Sequence, residues 1–150
     1  MTRRTVVFLS ALVLVPTSVW AAGMLRYAGR FYAGGSEFDI AQYSDGKTKI
    51  GIVGINRDRA RTSVAFVADE WHSFVELWDR SRRVPSATWQ MIGTFKETGT
   101  DDATSLSVAT GPGVQFTIAG KPGSFAFVLS PRDYAAFDST VKRMTVWFAH

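Results

Sequence analysis

The sequence predicts an α+β fold made of two antiparallel four-stranded β-sheet units, each followed by an α-helix, behind an N-terminal export leader. Three observations predict it. Short runs rich in aromatic and branched residues occur four times in each half, separated by Gly, Pro, Asp and Ser. After the fourth run of each half the apolar period changes from two to 3.6, as a helix requires. Short residue strings also recur between the halves at nearly one spacing.

The leader comes first. Met1-Thr2-Arg3-Arg4 gives a positive start, Val6 to Val15 is an almost unbroken apolar run, and Pro16 ends it. Val19-Trp20-Ala21 then offers the small residues that a signal peptidase reads, so cleavage is expected after Ala21. The apolar run is well short of the roughly twenty residues that a membrane-crossing helix needs. The expected product is a periplasmic or secreted chain, 22–150, forming one globular domain from two half-repeats at about 25–84 and 88–144.

In the first half, strands are expected over Leu25–Tyr32, Phe38–Tyr43, Thr48–Asn56 and Thr62–Val67. Ala33-Gly34-Gly35-Ser36 and Ser44-Asp45-Gly46-Lys47 supply turn chemistry between them, because Gly and Asp tolerate positive φ. Arg57 to Arg61 reads as a polar loop. Trp71, Phe74, Val75 and Trp78 then fall at i, i+3, i+4 and i+7, the stripe of an amphipathic helix. Asp69 and Glu70 suit its positive end, Arg80, Arg82 and Arg83 its negative end, and Pro85 stops it.

The second half repeats the plan, with strands expected over Thr88–Lys96, Thr104–Thr110, Val114–Ala119 and Ser124–Leu129. Ser130-Pro131-Arg132-Asp133 has the cap, proline and acid of a helix start. Tyr134, Phe137, Val141 and Met144 form the stripe of that helix, and Lys142-Arg143 close it. Gly29-Arg30-Phe31 matches Gly93-Thr94-Phe95 at an offset of 64, Ser63–Val67 matches Ser124–Val128 at 61, and Trp71–Phe74 matches Tyr134–Phe137 at 63. One sheet with one helix leaves apolar surface wet, whereas two such units bury theirs against each other. Trp71, Trp78, Trp89, Phe66, Phe127 and Phe137 are the large residues expected in that shared core.

From Leu25 to Met144, this order of elements resembles the whirly group of single-stranded nucleic-acid-binding domains. The resemblance implies two four-stranded sheets with a helix each in one protomer, oligomers of such protomers, and a single-stranded nucleic-acid partner. That group's lysine-glycine-rich strand motif has no counterpart that aligns here; the nearest fragment, Asp45-Gly46-Lys47-Thr48-Lys49, has the composition of a hairpin turn.

Composition narrows the chemistry. The chain has no cysteine, which removes disulfides, thiol catalysis and thiolate metal sites. Its formal charge is +4, falling to +2 once Arg3 and Arg4 leave with the leader, a mild value that does not demand a polyanion. The two histidines, His72 on the first helix and His150 at the last position, have no sequence neighbours suited to a base or a metal site. Acids are scattered apart from Asp69-Glu70 and Asp101-Asp102, and the Gly-Pro segments 111–113 and 120–123 join strand to strand rather than strand to helix, so they do not cradle phosphate. No cofactor and no catalytic residue is assigned.

One cluster remains. Arg57, Arg59 and Arg61 alternate through a loop, with Lys47 and Lys49 on the preceding hairpin, and arginine forks match phosphate and carboxylate geometry. These five are the candidate binding residues. The C-terminal Thr145–His150 carries Trp147 and Phe148, whose area is expected to pack back on the domain or to meet a partner. The expected protein is thus an exported, non-enzymatic binding or assembly domain. Its partner is expected to be an anionic envelope component, another protein or a second copy. A carboxylate-using glycan hydrolase and a single-stranded nucleic-acid binder stand as alternatives.

Overall fold

Strands and helices follow the order β-β-β-β-α twice. The protein is seen in a computed structural model that describes residues 23–84, 86–97, 104–121 and 123–150. The leader, Pro85 and the Asp101-Asp102 pair lie outside the described residues. The first sheet comprises β1 (Met24–Ala33), β2 (Ser36–Ser44), β3 (Lys49–Arg57) and β4 (Ala60–Phe66), each antiparallel to the next, and α1 (Ala68–Arg83) follows it. The second comprises β5 (Gln90–Lys96), β6 (Ser105–Thr110), β7 (Val114–Gly120) and β8 (Gly123–Leu129), again a simple meander. A 3-10 turn (Pro131–Asp133) then leads into α2 (Tyr134–Ala149). No helix among the described residues is long and apolar enough to cross a membrane.

The halves are built alike down to their irregularities. The β1–β2 register slips between Tyr27 and Gly29, and the β5–β6 register slips between Met91 and Gly93. Each bulge leaves one extra residue, Ala28 or Ile92, and each is held by an arginine of a helix. Arg143 Nη2 of α2 donates to the Ala28 carbonyl at 2.9 Å, and Arg80 Nη2 of α1 donates to the Ile92 carbonyl at 3.3 Å. A Cβ on Gly29 would come 2.8 Å from Thr140 of α2, and one on Gly93 would come 2.6 Å from Leu77 of α1. Glycine at both places therefore permits a helix to sit close on the strand. In this arrangement each helix crosses over, α1 leaning on β5 of the second half and α2 on β1 of the first.

The two helices lie side by side in opposite directions. Trp71 Nε1 near the start of α1 donates to Thr145 Oγ1 near the end of α2 at 3.0 Å, while Trp78 Nε1 donates to Asp138 Oδ1 at 3.1 Å. Both indoles thus bury their rings without leaving an N–H unpaired. Around them lies one aromatic core drawn from both sheets. Phe38 of β2 meets Phe116, Phe127 and Phe137 of the second half, and Phe66 of β4 meets Trp71, Phe74 and Phe95. Full burial of each such side chain contributes about 1.5–3 kcal/mol.

The sheets differ on their other faces. On the first, Ala41, Ile50, Ile52 and Ala65 form a second, smaller buried cluster with Leu25, Tyr43 and Val67 against it. On the second, the cross-strand row Thr94, Ser107, Thr117 and Ala126 is polar or small, and its end residues are exposed.

Four sequence expectations are corrected. Trp89 is 46% exposed rather than in the core; it precedes β5 and lies over Gly111, where a Cβ would come 2.6 Å from the indole. The second helix does not close at Lys142-Arg143 but runs to Ala149, because Val141, Met144 and Phe148 continue one stripe with no breaker between them. Arg57 to Arg61 is not a loop. Only Asp58 and Arg59 form the turn, and β4 begins at Ala60. Ser130 makes no side-chain cap to the backbone, and a 3-10 turn stands where the first helical turn was expected.

Candidate functional site

The five basic residues singled out in the sequence do not form one surface. Lys49 and Arg57 stand at opposite ends of β3, which at about 3.4 Å per residue places them roughly 27 Å apart. Lys47 and Lys49 line a cleft of about 390 Å³ between the β2–β3 hairpin and the start of α1. Lys49 is already employed there: its Nζ donates to the Trp147 carbonyl at 2.7 Å and lies 5.4 Å from that indole ring. It binds the last turn of α2 to the first sheet, while Phe148 packs against Trp71 at 5.8 Å. The C-terminal aromatics thus face the chain's own core.

Arg61 leaves the cluster altogether. It sits in β4 on the far face of the first sheet, forks onto Asp39 of β2, and makes one of its two bonds, Nη2 to Oδ1, at 2.8 Å. The Asp39 side chain is 0% exposed and also accepts from Asn56 Nδ2 at 2.9 Å. Between the two strands lies Gly54, where a Cβ would overlap the guanidinium of Arg61. A buried ion pair of this kind is structural: losing one partner strands the other charge in the interior.

Arg57 and Arg59 are exposed at the other end of β3 and make no ion pair among the described residues. Arg57 pairs in register with Ser36 and shares its face with Ile55, the face that looks toward the second half. There Arg132 of the 3-10 turn joins it, a residue the sequence offered only as part of a helix start. Its side chain is 82% exposed and its one ion pair among the described residues, to neighbouring Asp133, is 3.8 Å long. Arg57, Arg59 and Arg132 line one cleft of about 620 Å³ with the Gly34-Gly35 turn, Glu37 and Asp58.

The backbone at the cleft is unusual. Asp58 has φ 49° and Arg59 has φ 66°, both in the left-handed region, whereas the hairpin opposite uses Gly34 and Gly35 at 57° and 76°. Glycine adopts that conformation freely and arginine does so at a cost, so the turn holds Arg59 where sterics disfavour it. Of the two acids in the cleft, Glu37 accepts from Asn56 Nδ2 at 3.1 Å, and its hydrogen bond to Tyr32 raises that phenol's pKa. Asp58 is left to the turn.

One titratable group escaped the sequence entirely. Glu97, after β5, is 5% exposed, accepts from the Ala65 N–H of edge strand β4 at 3.5 Å, and has its pKa pushed by burial up to about 7. Nothing near it in sequence signals burial; only the approach of β5 to β4 creates it. His72 and His150 are both exposed, and among the described residues no group of three or more His, Asp or Glu side chains gathers.

These features define an α+β domain of two interlocked sheet-and-helix halves with an arginine-lined cleft at its hairpin tips. No protein-family model matches the chain, and no curated protein matches it.

Proposed function

We propose that this protein is an exported, non-enzymatic domain that works by binding an anionic component of the cell envelope, and that the hairpin-tip cleft is its contact site. The observation that carries the reading is the convergence of Arg57, Arg59 and Arg132, two from the first half and one from the second, on one open cleft. Exposed guanidinium groups, held at most by one long surface ion pair, cost little to bring to an anion and provide several donors each. The export half of the reading rests on the leader-like residues 1–21.

The test is retention of the protein on isolated envelope polymer. Replacing Arg57, Arg59 and Arg132 together by glutamate is expected to abolish retention and leave the melting temperature within a few degrees, since all three are solvated. Full retention by that variant overturns the reading.

Glu37 and Asp58 in the same cleft favour a second reading, a hydrolase with two carboxylates. Turnover of an envelope glycan that disappears in Glu37→Gln or Asp58→Asn would establish it. The whirly resemblance supplies a third outcome, salt-sensitive retention on a single-stranded oligonucleotide that weakens with the same three arginines.

A further inference from the structure

We infer that the hairpin-tip cleft is shaped for a phosphoryl group borne on a larger molecule. The inference rests on the binding reading above and names the ligand chemistry of that site.

A carboxylate has two oxygens in one plane, and one arginine fork engages both, as Arg61 does on Asp39 within this same sheet, where Asn56 adds a further donor. The cleft is lined by three arginines carried on three backbone positions: the end of β3, the second position of its turn, and the 3-10 turn ahead of α2. Groups arriving from separate directions suit a tetrahedral anion with three or more oxygens better than a flat one. The volume, about 620 Å³, lies in the range of small-molecule sites and leaves room for whatever carries the phosphate. Three arginines outnumber the two acids of the lining, Glu37 and Asp58; Glu37 is oriented by Asn56, and Asp133 reaches Arg132 only at 3.8 Å on the surface.

Arg59 separates ligand chemistry from fold chemistry. If the residue were there for the turn, glycine would serve better at φ 66°. Arg59→Gly is therefore expected to raise the melting temperature and at the same time weaken phosphate binding.

The experiment is a titration of the full-length chain with inorganic phosphate and, separately, with acetate, following the arginine side-chain N–H signals by NMR. Expected are saturable shifts at Arg57, Arg59 and Arg132 with phosphate, at least tenfold weaker response to acetate, and about tenfold loss of phosphate affinity in each of Arg57→Gln, Arg59→Gln and Arg132→Gln. Vesicles containing phosphatidate and soluble glycerol phosphate then identify the carrier, and each must be displaced by inorganic phosphate. Equal response to acetate, or vesicle binding that phosphate does not displace, overturns the inference. If the glutamate variant loses retention on envelope polymer while phosphate shifts none of the three arginines, the binding reading stands and the phosphoryl assignment alone falls.

Discussion

In the first sheet, β3 runs Ile50-Gly51-Ile52-Val53-Gly54-Ile55 with every residue buried; in the second, its counterpart β7 alternates, with Val114, Phe116 and Ile118 buried and Gln115 and Thr117 partly exposed. The registers make the comparison residue by residue. Ile40 opposes bulge residue Gly29 as Val108 opposes Gly93, so Asp39 and Ser107 occupy matching places, as do Gly54 and Thr117. One frame has been given two outer faces. The second keeps a hydroxyl pair, Thr94 with Ser107 at 2.9 Å, in reach of water, whereas the first encloses a carboxylate and a guanidinium beside an apolar cluster. The difference teaches that the shared plan is carried by the inner faces and the helices, and that the outer faces are free to diverge.

Matched substitutions test this most strongly at the paired positions. Asp39→Ala leaves Arg61 buried without its partner and is expected to cost about 3–5 kcal/mol in chemical denaturation. Ser107→Ala removes one solvated hydroxyl bond and should cost no more than about 1 kcal/mol. Comparable losses in the two variants would erase the contrast. Adding Arg61→Met to Asp39→Ala should recover much of the stability, because the unpaired charge is gone.

Next in size is Gly93→Ala. Its methyl group meets only the flexible end of Leu77 at 2.6 Å, so a cost near the low end of about 1–3 kcal/mol is expected, and Gly29→Ala, which meets the branched Thr140 at 2.8 Å and the Phe31 ring at 3.2 Å, should fall higher in that range. Denaturation midpoints of the two variants, side by side, give the answer.

At the seam between the sheets, Glu97 predicts a pH effect. Its folded pKa of about 7 lies above the 4.5 of the free side chain, so its favourable contribution is complete below pH 4.5 and is lost as pH rises to 7. Midpoints measured from pH 4 to 8 should decline through that window, and Glu97→Gln should remove that part of the decline. An unchanged profile in the variant would assign it to other groups. The smallest effect is expected at the turn: Arg59→Gly should stabilise by about 0.5–1 kcal/mol, whereas alanine at Gly34 should destabilise, since the two hairpins solve one backbone problem in opposite ways.

Much of this was legible in the sequence. Eight strand runs and two helical stripes are local patterns, and local periodicity is what a sequence displays most directly. The contrast between the sheets was also present, in the unbroken Ile50–Ile55 run set against Val114-Gln115-Phe116-Thr117-Ile118, although continuous apolar runs announce two-sided burial only once a sheet is assumed. The site was legible only by halves. Arg57 and Arg59 stood out by spacing, but so did Arg61, which alternation within β4 sends to the far face with Ser63 and Ala65. Its partner Asp39 is 22 residues away, and the pairing needs the β2–β3–β4 register. Arg132 gave no sign, because its neighbours explained it as part of a helix start while the cleft it completes is a product of tertiary packing.

The crossing of the helices bears on how the chain is made. With α2 covering β1, the opening strand lacks its lid until the final sixteen-residue helix has been synthesised, and nothing before that point can close as a finished unit. A chain ending at Leu129 should accordingly remain protease-sensitive throughout, including its first sheet; a resistant fragment spanning Met24–Phe66 would show otherwise.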